Sequence, residues 1–122
     1  MIKRIIGQYD DKTLSRGIEA GQYIYLSHHS GGHEKQEISY QMRKTFEGIM
    51  DTLSYFDANL SDMLQVNLYL KTKEDFDEAT KVFEEYFEEE CVPTRTTVIT
   101  EFVDERCLCQ INGVAYKEKG KL

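Results

Sequence analysis

The chain of 122 residues contains one proline, Pro93, and only three cysteines. No Gly/Ser-rich linker interrupts it, so a single domain spanning 1–122 is expected. Cys91, Cys107 and Cys109 are an odd number of thiols. Area scaling for a chain of this mass predicts a folded surface near ~6,800 Å² against roughly 20,700 Å² unfolded, so a core forms without disulfide staples. A reducing, cytoplasmic setting is therefore expected. No apolar run approaches the roughly 20 residues of a membrane span. The start, Met1-Ile2-Lys3-Arg4-Ile5-Ile6-Gly7, lacks the long apolar stretch and small-residue cleavage site of a signal peptide, and no membrane partner is expected. Basic charge is scarce: 15 Lys and Arg face 22 Asp and Glu, a formal charge of −7. Such a chain repels phosphate backbones unless it carries a local basic patch. Lys117, Lys119 and Lys121 are interrupted by Glu118 and Gly120 and read as a frayed tail, so no nucleic-acid partner is expected.

What is present reads as an alternating α+β chain. Apolar residues at Ile38, Met42, Phe46, Ile49, Met50, Leu53 and Phe56 recur at helical spacing. A second helix is predicted from Thr72-Lys73-Glu74-Asp75, with Thr72 capping and Asp75 answering three residues later. Its stripe is Phe76, Ala79, Val82, Phe83, Tyr86 and Phe87, and Cys91-Val92-Pro93 is expected to end it. Strands are predicted at Lys3 to Ile6, Leu14 to Ala20 and Tyr23 to Leu26. Leu64, Val66, Leu68 and Leu70 alternate onto one face of a fourth. Arg95 to Thr100 is rich in β-branched residues, and after a turn at Asp104-Glu105-Arg106 the chain returns as a long strand from Cys107 to Tyr116. The order β-β-β-α-β-α-β-β places two helices on one face of a sheet of about six strands. The other face must be polar or covered by another subunit, and an oligomer is expected.

Three segments carry candidate chemistry. Pro93-Thr94-Arg95 sets an arginine at a strand entrance, where a guanidinium can grip a carboxylate through two parallel hydrogen bonds; a surface ion pair is the plainer alternative. Ser27-His28-His29-Ser30-Gly31-Gly32-His33-Glu34 holds all three histidines. Imidazole titrates near neutrality and suits a general base, but the spacing is not that of a zinc site, and a polar, flexible loop is the alternative. Cys107-x-Cys109 lacks the two intervening residues of a redox motif, and packing is expected of both thiols. The acidic run from Glu84 to Glu90 reads as a solvated face.

Taken together, Leu14-Ser15-Arg16-Gly17-Ile18-Glu19-Ala20-Gly21, Tyr23-Ile24-Tyr25-Leu26-Ser27, Asp62 to Leu70, Pro93-Thr94-Arg95 and Gln110-Ile111-Asn112-Gly113-Val114-Ala115 resemble the Rid family of reactive-intermediate deaminases, the YjgF-type proteins. The resemblance covers nearly the whole chain. It implies a chorismate-mutase-like fold, a homotrimer with clefts between subunits, and hydrolysis of 2-imino acids to 2-keto acids and ammonia without metal or cofactor. Arg95 matches the family's carboxylate-binding arginine, Ser27 a cleft-lining serine, and Thr97 a small polar position beside the arginine.

Other positions depart from the pattern. Leu14 stands where deaminating members carry a tyrosine, His28 where they carry a glycine, and Thr80 where an asparagine is common. Gln110 replaces the glutamate held to position or activate water. A neutral amide can orient a water but cannot take its proton at pH 7. Two readings follow: an imine hydrolase in which Gln110 places the water and His28 substitutes as base, or a non-catalytic trimer that binds small carboxylic metabolites through Arg95. For His28 the plainer alternative to a base is that it fills space near the cleft mouth.

Overall fold

The computed structural model describes residues 1–118. Strands β1 (Ile2–Gln8), β2 (Asp11–Ala20) and β3 (Tyr23–His29) form an antiparallel meander. Helix α1 (Ile38–Ser54) then leads to strand β4 (Met63–Leu70), helix α2 (Phe76–Tyr86), strand β5 (Thr94–Ile99) and strand β6 (Cys109–Tyr116). The sheet order is β1-β2-β3-β6-β4-β5, with β4 and β5 the parallel pair. A parallel pair needs a long crossover, and α2 supplies it. The last strand threads between β3 and β4, and β1 and β5 are the free edges.

Both helices lie on one face, because every second residue of the central strands is apolar. Ile24, Leu26, Val66, Leu68, Leu70, Cys109, Ile111 and Ala115 are buried against Met42, Phe46, Ile49 and Leu53 of α1 and Ala79, Val82 and Phe83 of α2. Phe46 ties the helices together, edge-on to Phe83 and stacked on Tyr86 at 4.7 Å between centroids. The opposite face carries Tyr23, Tyr25, Val98, Val114 and Tyr116 beside a hydrogen bond from Asn67 to Asn112 of 2.8 Å. Tyr23 and Tyr25 are exposed there.

Several local expectations need correction. Leu64 is exposed and Met63 is buried in its stead, because β4 carries an extra residue between Met63 and Gln65. This bulge presses on β6: a Cβ at Gly113 would stand 2.2 Å from the Gln65 carbonyl oxygen. Met50, one residue past buried Ile49, is rotated by about 100° toward solvent and is exposed. The Thr72 side chain makes no cap; a short 3₁₀ turn at Lys73–Asp75 precedes α2, closed by the Asp75 N–H on the Thr72 carbonyl. The capping box instead joins Asn59 and Asp62, before β4. Helix α2 stops at Tyr86, so of the acidic run only Glu84 and Glu85 lie on the helix, and Glu88 to Glu90 lie beyond its end. Cys107 and Leu108 precede β6. Lys117 is anchored, its N–H on the Gln22 carbonyl and its ammonium on the Phe56 carbonyl at 2.7 Å. Lys119 and Lys121 lie outside the described residues.

Candidate functional site

Arg95 enters β5 opposite Val66 of β4 and so points to the helix-covered face. Because β5 is an edge strand, its guanidinium reaches α2 without being enclosed. It lies over the rings of Phe83, at 5.1 Å, and Phe76, at 5.6 Å. These cation–π contacts fix the plane of the fork while leaving its donors open. Among the described residues Arg95 makes no hydrogen bond or ion pair, whereas Arg43 and Arg106 are committed to Glu85 and Asp104. A cavity of about 600 Å³ opens beside Arg95, lined also by Thr80, Phe83, Phe87 and Pro93. Thr97 follows on the same strand face, opposite Leu68, and does not line that cavity.

Gln110 lies elsewhere. It sits between buried Cys109 and Ile111 and pairs with Tyr69, so its side chain faces away from the helices. A second cavity, of about 590 Å³, is lined there by Gln110, Leu14, His28, Tyr9, His33 and Asp104, among others. Within one chain Arg95 and Gln110 therefore lie on opposite faces of the sheet. Leu14, His28 and Gln110 are brought together, Arg95 and Thr80 are brought together, and the two groups stay apart. Ser27 lines neither cavity; its hydroxyl lies 3.2 Å from Gln8 Oε1, behind the second one.

A bulge in β3 decides which histidine sees the second cavity. Leu26 pairs with Gly113 and His29 with Ile111, three steps against two. Without the extra residue, His28 would turn inward and His29 outward. With it, His29 is buried: Nδ1 donates to the Ser27 carbonyl and Nε2 accepts from the Thr52 hydroxyl, each at 2.8 Å. Burial pulls the pKa of His29 down to about 4, so the ring is neutral and structural. His28 reaches the cavity, its ring 6.5 Å from that of Tyr9.

The rim is also built by a tight hairpin turn. Tyr9 and Asp10 both have positive φ, 52° and 63°, between paired Gln8 and Asp11. This is a turn normally made by Asn-Gly. Tyr9 holds it through its hydroxyl, which accepts the Ser30 N–H at 2.8 Å and donates to the Ser30 carbonyl. The cysteines are packed: burial pushes the Cys107 thiol upward in pKa, against the side chains of Ser30 and Gln110, and Cys109 up to about 12. Among the described residues no group of three or more His, Cys, Asp or Glu side chains is arranged to hold a metal ion, and no helix is long and apolar enough to cross a membrane.

A sequence model of the family described as endoribonuclease L-PSP matches residues 6–117. The chain belongs to that family, the YjgF/RutC proteins. A RutC family protein of Pyrococcus horikoshii is 31% identical over 110 residues, 85% of this chain and 86% of the relative. A RutC family protein of Pyrococcus abyssi is 30% identical over the same shares. A solved YjgF-family structure from Neisseria meningitidis superposes with a TM-score of 0.89 over 98% of each chain, at 18% identity. The six-stranded mixed sheet with two helices on one face is thus the YjgF architecture, the chorismate-mutase-like α+β fold that the sequence pointed to.

Proposed function

We propose that this YjgF-family protein hydrolyses reactive 2-imino acids to 2-keto acids and ammonia, in clefts formed between the subunits of a cytoplasmic homotrimer. Arg95 carries the reading: an open guanidinium, clamped on two phenyl rings at a free sheet edge, is suited to a small carboxylate. Thr97 and Thr80 are the polar neighbours on that side. Gln110 accepts a hydrogen bond from the attacking water, while Leu14 and His28 build the wall around it and Ser27 supports that wall through Gln8. The sheet geometry supports a shared cleft: Arg95 and Gln110 lie on opposite faces of one chain, so a substrate that meets both spans two chains. Water adds to an already electrophilic C=N carbon and ammonia leaves, a balance that requires neither metal nor cofactor.

One observation favours a second reading. Gln110 is an amide where a carboxylate would accept a proton, which suits a trimer that binds 2-keto or related acids without turning them over. RNA cleavage, named in the family's description, is disfavoured by the charge of −7. The test is hydrolysis of enzymatically generated 2-iminopropanoate and 2-iminobutanoate. Acceleration over buffer that drops at least roughly 100-fold in Arg95→Ala is expected, since the fork both binds and orients the substrate. No acceleration by the folded wild-type protein rejects the hydrolase in favour of the binder.

A further inference from the structure

The second cavity holds an imidazole that is better placed to handle protons than His28. His33 follows Gly31-Gly32, and the loop is pinned, not loose. Gly32 has φ +70°, and a Cβ there would lie 2.8 Å from the Tyr40 ring. The facing turn is fixed as firmly. Buried Gln41 donates from Nε2 to the Arg106 carbonyl at 3.0 Å and accepts the Leu108 N–H at 2.8 Å. Gln36 donates to the same Arg106 carbonyl, and the Cys107 N–H closes on the Asp104 carbonyl. Between these two supports, His33 Nδ1 lies 3.5 Å from Asp104 Oδ2. Asp104 is itself held by both Arg106 guanidinium contacts, at 3.1 and 2.9 Å, which keep its carboxyl ionised well below the usual carboxylate range.

An ionised carboxylate facing Nδ1 assigns the ring proton to that nitrogen and leaves the lone pair on Nε2. His33 Nε2 is buried and has no hydrogen-bond partner among the described residues. A buried polar atom left unpaired is costly, and a water or substrate group that reached it would recover that cost. His28, on the same cavity, forms no ion pair among the described residues, and Asp11 on the same wall spends Oδ1 on the Thr13 N–H and hydroxyl. The charged and titratable groups around His33 are Asp104 and Arg106 from the turn, Glu34 next in the chain, and Cys107, His28, Asp11 and Tyr9 on the cavity wall.

We propose that His33, oriented by Asp104, is the proton-transfer residue of the half-site that Gln110 lines, supplying the base that the amide lacks. The inference rests on the imine-hydrolase reading. As the water oxygen bonds to the imine carbon, the C=N π pair moves to nitrogen and His33 Nε2 takes a water proton. The imidazolium then protonates the amine. The C–N bond breaks with its electrons leaving on ammonia, the remaining hydroxyl proton returns to Nε2, and the carbonyl is left. The proton finally departs with ammonia as ammonium, so water and iminium give keto acid and ammonium.

The test is the pH profile of imine hydrolysis between pH 5.5 and 8 for wild type, His33→Gln, Asp104→Asn and His28→Gln. In wild type the rate falls toward acid pH as the base is protonated. In His33→Gln, kcat drops roughly 100-fold with KM little changed, and the acid limb disappears. Asp104→Asn, which removes the carboxylate that orients the ring, lowers kcat with KM little changed, and His28→Gln keeps the limb. Titration of wild-type protein with 2-ketobutanoate shifts the His33 ring resonances, a readout independent of any variant's folding. An active wild type whose His33→Gln variant keeps both kcat and the limb, or His33 resonances unmoved at saturation, overturns this assignment and leaves the hydrolase standing. A wild type without hydrolase activity overturns both.

Discussion

At the scale of single residues, the two neighbouring histidines show how strongly environment sets chemistry. His29 has a core partner for each nitrogen, and desolvation pulls its pKa from 6.5 down to about 4. The unfolded chain therefore binds one more proton than the native state between those values, and stability falls as pH drops through that window. The full difference corresponds to about 3 kcal/mol at 1.36 kcal/mol per unit. Denaturant midpoints at pH 7, 5.5 and 4 check this. Wild type should lose most of that stability by pH 4. His29→Gln, less stable at pH 7 because it forfeits the Ser27 and Thr52 contacts, should show a slope flatter by the same amount. Arg95 is the opposite case. Its motif was legible because a proline, a β-branched run and an arginine sit together, but nothing in that spacing reveals a guanidinium left open over two phenyl rings.

At the scale of elements, one extra residue in each of two strands decides what the chain exposes. The bulge at Ser27-His28 turns His28 to the cavity and His29 to the core, and the bulge at Leu64 buries Met63 and thrusts the Gln65 carbonyl against Gly113. Gly113→Ala should therefore cost about 1–3 kcal/mol, the usual range for overpacking against a neighbour that cannot yield. Thermal unfolding measures it, and an unchanged midpoint would mean that the bulge relaxes freely. Period-two alternation located both strands but missed both bulges, because an insertion of one residue leaves no compositional mark. The helices were read more closely: α1 starts at Ile38 as its apolar spacing requires, and α2 ends earlier than expected because Phe87 is already extended.

At the scale of the whole molecule, the separation of Arg95 from Gln110 makes a quantitative prediction. If each cleft takes Arg95 from one subunit and Gln110 from its neighbour, Arg95→Ala and Gln110→Ala are each defective, yet their mixed trimers contain intact clefts. Random 1:1 reassembly after co-refolding should restore about a quarter of wild-type activity, since each cleft draws its two halves independently across a heterologous interface. Absence of recovery from mixed trimers confirmed by native mass spectrometry would place both residues' work within one chain. Exposed Tyr23 and Tyr25, together with Val98 on the same sheet face, are the surface such an assembly would cover.

The sequence by itself determined the element order, the two amphipathic helices, the face they cover and the family, because all of these rest on local periodicity and on short motifs whose spacing survives in the linear chain. It also named Arg95, His28, Leu14 and Gln110 as residues of interest. Only the tertiary structure decided how they combine. Strand register set Arg95 and Gln110 on opposite faces, a bulge chose between His28 and His29, and a turn seventy residues downstream brought Asp104 to His33. Pairing register and long-range contact depend on how distant segments meet, and nothing in the spacing of either segment alone records that meeting.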